Sequence, residues 1–75
     1  MVFILTFKNE NMTDTYYLEN NDFSGDFYEL AFELASKEEG QDPIVAGINV
    51  IETLINDFGF VEIKANIINF DENFF

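Results

Sequence analysis

The chain has 75 residues, of which 48% are hydrophobic and ten are Phe, and it contains no Cys, His or Arg. Its fifteen Asp and Glu residues against three Lys residues give a formal net charge of -12. So much apolar sequence excludes an acidic disordered tail and predicts a single compact domain spanning residues 1–75. The absence of Cys excludes disulfides and thiolate metal sites, so aromatic packing or self-association has to stabilise the domain.

The charge imbalance is the strongest functional signal in the sequence. Solubility requires a net charge of only about 2 to 8 in magnitude, and further like charge destabilises a compact state. A positively charged partner is the simplest explanation, and the alternative is that the acidity serves solvation or adaptation to high salt. Phosphate and anionic lipid would both repel this surface, so we expect neither direct nucleic-acid binding nor membrane binding.

Two strands joined by a polar turn are predicted at the N-terminus. The segment from Val2 to Phe7 is apolar on both alternating faces, which predicts a central strand covered on both sides. It is short and lacks the basic start and small-residue cleavage site of a signal peptide. The segment from Thr13 to Glu19 is rich in β-branched and aromatic residues and predicts the returning strand of a β-hairpin.

The first helix is predicted from about Asp26 to Glu39. Its apolar residues recur with the period of an amphipathic helix, at Phe27, Leu30, Ala31, Leu34 and Ala35. The preceding loop offers Asp22 or Ser24 as the N-cap. Gly40 is the predicted residue at which this helix ends.

The second helix has clear start and stop signals. Asp42 is its predicted N-cap, Pro43 its first residue, and Gly59 follows its last apolar residue. Its predicted buried stripe consists of Ile44, Ile48, Ile51, Ile55 and Phe58, flanked by Leu54. Gly47, close to this stripe, is predicted to permit close approach of a neighbouring helix.

The third strand is predicted from Phe60 to Phe70, with a bulge or a change of face at Ile67-Ile68. The resulting fold class is α+β, with the order β-β-α-α-β and two helices packed on one face of a three-stranded sheet. We expect the first strand in the middle of the sheet, because it alone is apolar on both faces. At the C-terminus, Phe74 and Phe75 are expected either to fray or to cover the open face of the sheet.

Catalytic residues are scarce, and we predict neither an enzyme nor a cofactor. Without His, Cys or Arg, the usual general bases and nucleophile pairs are missing, and Ser24 and Ser36 fall at a helix cap and on a helix surface. The segment from Asn20 to Asp26 alternates oxygen ligands as a calcium loop does. Its twelfth position would be Ala31 instead of the required Glu, so helix capping explains the segment better than a divalent ion does.

An acidic row on the first helix is the predicted partner-binding site. Asp26, Glu29 and Glu33 lie opposite the apolar stripe, and Asp22 extends the row by one turn if the helix begins early. Neighbouring carboxylates on such a row stand about 5 to 6 Å apart. Lys37 is the only basic residue placed to pair with this face, at the i, i+4 spacing from Glu33. Ordinary helix surfaces, by contrast, mix positive and negative charges.

Two aromatic residues border the acidic row. Tyr28 and Phe32 lie at the edge of the apolar stripe, between the predicted core and the carboxylates. Exposed aromatics beside charged groups are typical interface anchors. The alternative is that both rings simply form the margin of the core.

In size, acidity, absence of Cys and predicted element order, the chain resembles the small phage-encoded inhibitors of bacterial defence, the anti-CRISPR and anti-restriction proteins. Several of these proteins mimic DNA, and no motif is shared among them. The resemblance implies a non-enzymatic inhibitor in the cytoplasm of a bacterial host cell that occupies a basic nucleic-acid-binding protein or complex. The alternative is an interaction or oligomerisation module that binds a neutral partner or forms a homodimer, with its acidity serving solubility.

Overall fold

A computed structural model describes residues 1–63 of the chain. Its elements in chain order are β1 (Val2–Lys8), β2 (Thr13–Glu19), α1 (Phe27–Ser36), α2 (Pro43–Phe58) and β3 (Val61–Glu62). The predicted α+β order β-β-α-α-β is confirmed. The predicted extension of the third strand to Phe70, the bulge at Ile67-Ile68, and the placement of Phe74 and Phe75 lie outside the described residues. Neither helix in residues 1–63 has the length and hydropathy that a membrane span needs.

The sheet is antiparallel, and β2 is its central strand. The strand order is β1-β2-β3, with β1 paired to β2 from Val2↔Glu19 to Lys8↔Thr13. The prediction that the first strand is central is therefore wrong. Its outward residues Val2 and Ile4 are 39% and 46% exposed, so the apolar sequence of β1 does not reflect burial on both faces. The position of a strand in the sheet depends on which distant segments it pairs with, and the local sequence pattern carries no information about that pairing.

The core lies between the inner face of the sheet and the two helices. Its buried members are Leu18, Phe27, Val50, Ile51, Leu54 and Phe60. The ring of Phe27 stacks on that of Phe3, with centroids 4.3 Å apart, and lies 5.3 Å from the ring of Phe60. These ring contacts supply the aromatic packing expected of a small domain without Cys.

Helix α2 starts and ends where its capping residues predict. The Asp42 carboxylate accepts a hydrogen bond from the Ile44 backbone N–H at 2.9 Å, and Gly59 takes the left-handed conformation with φ of 76°. The Asn9 side chain donates to both Asp42 oxygens, at 3.0 and 3.2 Å. This side-chain hydrogen bond and then the Ile44 N–H lower the pKa of Asp42. Asn9 thus ties the hairpin turn to the start of α2.

The buried face of α2 differs from the predicted stripe. Its buried residues are Ala46, Gly47, Val50, Ile51 and Leu54, whereas Ile48 and Phe58 are 46% and 41% exposed. The reason is the contact between Gly47 and the ring of Phe7, where a Cβ atom would lie only 2.6 Å from the ring. Gly47 therefore admits a strand side chain, and not a neighbouring helix, and this contact turns α2 away from the predicted stripe.

Helix α1 is shorter than predicted but buries the predicted side. Phe27 and Ala31 are buried, and Leu30, Leu34 and Ala35 are half-buried against the core. The helix ends at Ser36 with Lys37 as its C-cap, so the predicted end at Gly40 is wrong. Glu38 follows the helix and accepts a hydrogen bond from the Asn49 side chain of α2 at 2.6 Å, which joins the two helices.

Candidate partner-binding face

Asp26 is the N-cap of α1 and fixes the start of the helix. Its Oδ1 accepts hydrogen bonds from the backbone N–H groups of Tyr28 and Glu29, at 3.0 and 3.1 Å. Gly25, with φ of 116°, turns the chain into this cap in a conformation that favours glycine. The predicted N-caps Asp22 and Ser24 are therefore wrong, because the chain before Gly25 is not yet helical.

The loop before α1 is organised by Asn20. Its Oδ1 accepts hydrogen bonds from the backbone N–H groups of Asp22 and Phe23, at 2.9 and 3.0 Å, and its Nδ2 donates to the Phe58 carbonyl at 3.0 Å. Asp22 is exposed but lies in this loop, so it does not extend the helical acidic row as predicted. The calcium-like sequence is explained by these bonds, and residues 1–63 contain no group of three or more acidic, His or Cys side chains that could hold a metal ion.

The capping role of Asp26 can be separated from its charge. We expect Asp26→Ala to lower the free energy of unfolding by about 1 kcal/mol, whereas Asp26→Asn keeps most of it because Asn caps as well as Asp. Urea denaturation of the two variants measures this difference. Equal stabilities would contradict the assignment of Asp26 as a structural cap.

The exposed side chains of Tyr28, Glu29, Phe32 and Glu33 form a surface that we call the outer face of α1. Tyr28 and Phe32 are 61% and 73% exposed. Residues four apart are neighbours on a helix, so the two aromatics form one column and the two glutamates form a column beside it. Phe32 is therefore not core margin. Tyr28 is also exposed, although its ring packs edge-on against buried Phe27 with centroids 5.3 Å apart.

A shallow depression lies at the C-terminal end of this face. It is lined by Phe32, Ala35, Ser36 and Glu39. The Ser36 hydroxyl donates to the Phe32 carbonyl at 2.9 Å, which satisfies this polar group within the helix. The depression thus brings the apolar side chains of Phe32 and Ala35 together with the carboxylate of Glu39, a combination that suits an apolar contact beside a charge.

The acidic residues are concentrated around α1. No charged residue is fully buried in residues 1–63, although Oε2 of Glu62 is shielded from solvent. Six acids fall between residues 22 and 39, namely Asp22, Asp26, Glu29, Glu33, Glu38 and Glu39, whereas the 16 residues of α2 contain only Glu52 and Asp57. The region around α1 is therefore more negative than α2, even with the charge of Lys37 counted.

Several carboxylates already serve the fold. Asp14 accepts from the Tyr16 hydroxyl at 2.7 Å, and Asp26, Glu38 and Asp42 accept the hydrogen bonds described above. Glu29 and Glu33 accept no hydrogen bond from any residue in the range 1–63. These two carboxylates are accordingly the members of the predicted row that remain available to a partner. The structural roles of Asn9, Asn20 and Asp26 were not predicted, although Asx residues in turns are the signal for such bonds.

Among the described side chains, Tyr16 has the pKa that departs most from its ordinary value. Burial raises the pKa of Tyr16 to about 12, with further contributions from the hydrogen bond to Asp14 and from the charges of Asp14 and Glu62. It lies on the inner face of the sheet, where its ring contacts that of Phe7 at 6.1 Å. Tyr16 therefore packs against the hydrophobic core.

The raised pKa of Tyr16 predicts a loss of stability in alkali. Because the folded chain keeps this proton to about pH 12 and the unfolded chain loses it near 10.0, the unfolded state binds fewer protons above pH 10. The free energy of unfolding should therefore fall as the pH rises through this window. Urea denaturation at a series of pH values should show a steeper fall for the wild type than for Tyr16→Phe. Parallel curves would contradict the prediction.

No protein-family model, curated protein or solved structure matches this chain.

Proposed function

We propose that this protein is a non-enzymatic inhibitor that binds a basic nucleic-acid-binding protein through the outer face of α1. The observation that carries the proposal is the pairing of exposed Tyr28 and Phe32 with Glu29 and Glu33, whose carboxylates accept no hydrogen bond within residues 1–63. Carboxylates in these positions would take the places of nucleic-acid phosphates on the partner. The resemblance to phage-encoded inhibitors of bacterial defence supports a partner of the CRISPR-Cas or restriction type in the bacterial cytoplasm.

The spacing of the carboxylates sets the extent of the proposed mimicry. Glu29 and Glu33 are separated along the helix axis by about 6 Å, since an α-helix rises 1.5 Å per residue. One DNA strand carries a phosphate about every 3.4 Å along the axis, so the row has roughly half its linear charge density. The outer face of α1 would therefore replace only a few phosphates and not a long duplex.

The aromatic column would provide the specificity that charge cannot. If charge alone drove binding, any acidic protein would compete for the same basic surface. Interfaces gain selectivity from a few desolvated anchors surrounded by polar groups, and large aromatic side chains are frequent anchors. Phe32, with its ring 73% exposed, is the strongest candidate anchor, and Tyr28 is the second. Contact with a basic protein would cover these rings and explain their exposure on a small domain.

A second candidate function follows from the same two rings. An interaction module that binds a neutral partner would use Tyr28 and Phe32 alone, with the acidity serving solubility. Salt separates the two functions, because screening weakens an interaction between exposed charges but not an apolar contact. A complex whose affinity falls steeply between low and high ionic strength supports charge-driven inhibition. A complex insensitive to salt supports the neutral-partner module.

Neutralising the outer face of α1 should weaken the proposed complex without unfolding the chain. We expect Glu29→Gln/Glu33→Gln to lower partner affinity by about tenfold or more, because charges at a complementary interface govern association and register. Stability should stay the same or rise slightly, since the two like charges are one turn apart. The partner is first captured from bacterial lysate with the wild-type chain, identified by mass spectrometry and purified, and affinity is then measured by titration.

The matched control removes the same charge from another helix. Glu52 and Asp57 are exposed on α2, and Glu52→Gln/Asp57→Asn changes the net charge by the same amount. This control should retain nearly the wild-type affinity. If both double variants lose affinity equally, net charge is responsible, and the assignment of binding to α1 is wrong.

A further inference from the structure

The outer edge of β1 has no partner strand within residues 1–63. The sheet order β1-β2-β3 places β1 at an edge. The Asn20 N–H donates to the Met1 carbonyl, and the Asn9 N–H donates to the Met12 carbonyl. These two bonds show which backbone groups of β1 point towards β2. Backbone groups alternate in direction along an antiparallel strand, so odd-numbered residues bond to β2. The N–H and C=O groups of the even-numbered residues point outward, and these residues are Val2, Ile4, Thr6 and Lys8.

This edge has only one of the features that normally discourage pairing, the charge of Lys8 at its end. β1 is seven residues long and contains no Pro, Gly or acidic residue, with a single charge at Lys8. Its inward side chains, Phe3, Leu5 and Phe7, are only half-buried, although Leu18 beside Phe3 is 0% exposed. Within residues 1–63, the hydrophobic core is therefore incomplete along the edge of β1.

Within residues 1–63, the same region offers a second copy a surface without acidic residues. Residues 1–9 and 43–51 contain no Asp or Glu, and the two segments pack together where Gly47 meets Phe7. Val45 and Ile48 in the second segment are 44% and 46% exposed. A chain with a net charge of -12 can approach another copy most easily through such an acid-free surface.

We propose that two copies of the chain pair through their β1 edges, antiparallel and about a two-fold axis at Leu5. In this register the outward backbone groups of both strands meet, because even-numbered residues lie opposite even-numbered residues. Ile4 faces Thr6 of the second copy, and Leu5 faces its own equivalent. Lys8 faces Val2 of the second copy, whose neighbour on β2 is the oppositely charged Glu19. The pairing forms one continuous sheet and extends the apolar core across the two-fold axis.

Sedimentation equilibrium on the full chain tests the pairing without any partner protein. The wild type should shift from monomer to dimer over about a hundredfold range of concentration, as mass action requires. Ile4→Glu places an acid at the edge and should weaken the dimer about tenfold or more, because like charges at an interface repel. Val61→Glu adds the same charge to a residue that is 61% exposed on β3, and it should leave the dimer unchanged.

Amide hydrogen exchange measured by NMR identifies the edge directly. The amide protons of Ile4, Thr6 and Lys8 should exchange slowly in concentrated wild-type samples, and fast on dilution and in Ile4→Glu. A monomer at all concentrations, or a dimer in which these amides exchange freely, would overturn the proposal. Protection of the same amides in a monomer would also overturn it, because the chain itself would then cover the edge.

Discussion

Phe32→Ala is expected to abolish most of the partner affinity while leaving the fold intact. The ring is 73% exposed, and surface substitutions usually change the free energy of unfolding by no more than about 0.5 kcal/mol. Loss of an aromatic anchor at the centre of an interface typically costs about 2 kcal/mol or more of binding free energy, which is roughly a thirtyfold loss of affinity. Urea denaturation and titration against the purified partner measure the two quantities separately.

Val45→Ala provides the control for this prediction. Val45 is an apolar residue that is 44% exposed on α2, away from the outer face of α1. Its truncation removes exposed apolar surface but should leave affinity for the basic partner unchanged. An unchanged affinity in Phe32→Ala, together with intact folding, would exclude Phe32 as an anchor and leave recognition to the carboxylates.

Phe60→Ala is expected to have the opposite effect and to unfold the chain. Phe60 is 2% exposed, and its ring lies 5.3 Å from the rings of both Phe23 and Phe27 and 5.8 Å from that of Phe3. Truncating a buried Phe costs about 3–5 kcal/mol, and a single core in a domain below about 70–80 residues rarely supplies more than that. Circular dichroism should therefore show loss of the folded state at room temperature.

Phe58→Ala is the matched control for Phe60→Ala. Phe58 belongs to the same residue type two positions earlier, but it is 41% exposed at the end of α2. Its removal should leave the protein folded, with a small decrease in the urea midpoint. Equal destabilisation by the two changes would show that the aromatic cluster around Phe60 does not hold the domain together.

Local chemistry predicted the elements of this fold well. Asp42, Pro43 and Gly59 mark the ends of α2 because capping acts between residues close in sequence. The same reasoning failed before α1, where several capping residues follow one another. The choice of Asp26 depends on the left-handed Gly25 and on the hydrogen bond from Asn20 to Phe58, and the latter links segments far apart in the chain.

Features set by distant contacts were predicted poorly. The first half of α2 is apolar on nearly all sides, so its period does not identify the buried face. The contact between Gly47 and Phe7 selects that face, and Ile48 consequently remains exposed. In the same way, β2 and not β1 became the central strand. The outer face of α1 was easier to predict, because a single amphipathic helix separates its core side from its exposed side.

Competition with nucleic acid tests the central claim most directly. A labelled DNA or RNA duplex bound to the purified partner is titrated with the chain, and fluorescence anisotropy reports the fraction of duplex displaced. We predict that the wild type and Glu52→Gln/Asp57→Asn displace the duplex in proportion to the chain added. Glu29→Gln/Glu33→Gln should displace it only at a concentration higher by about tenfold or more. Simultaneous binding of chain and duplex, or equal displacement by the two double variants, would contradict the proposal that the outer face of α1 occupies a nucleic-acid site.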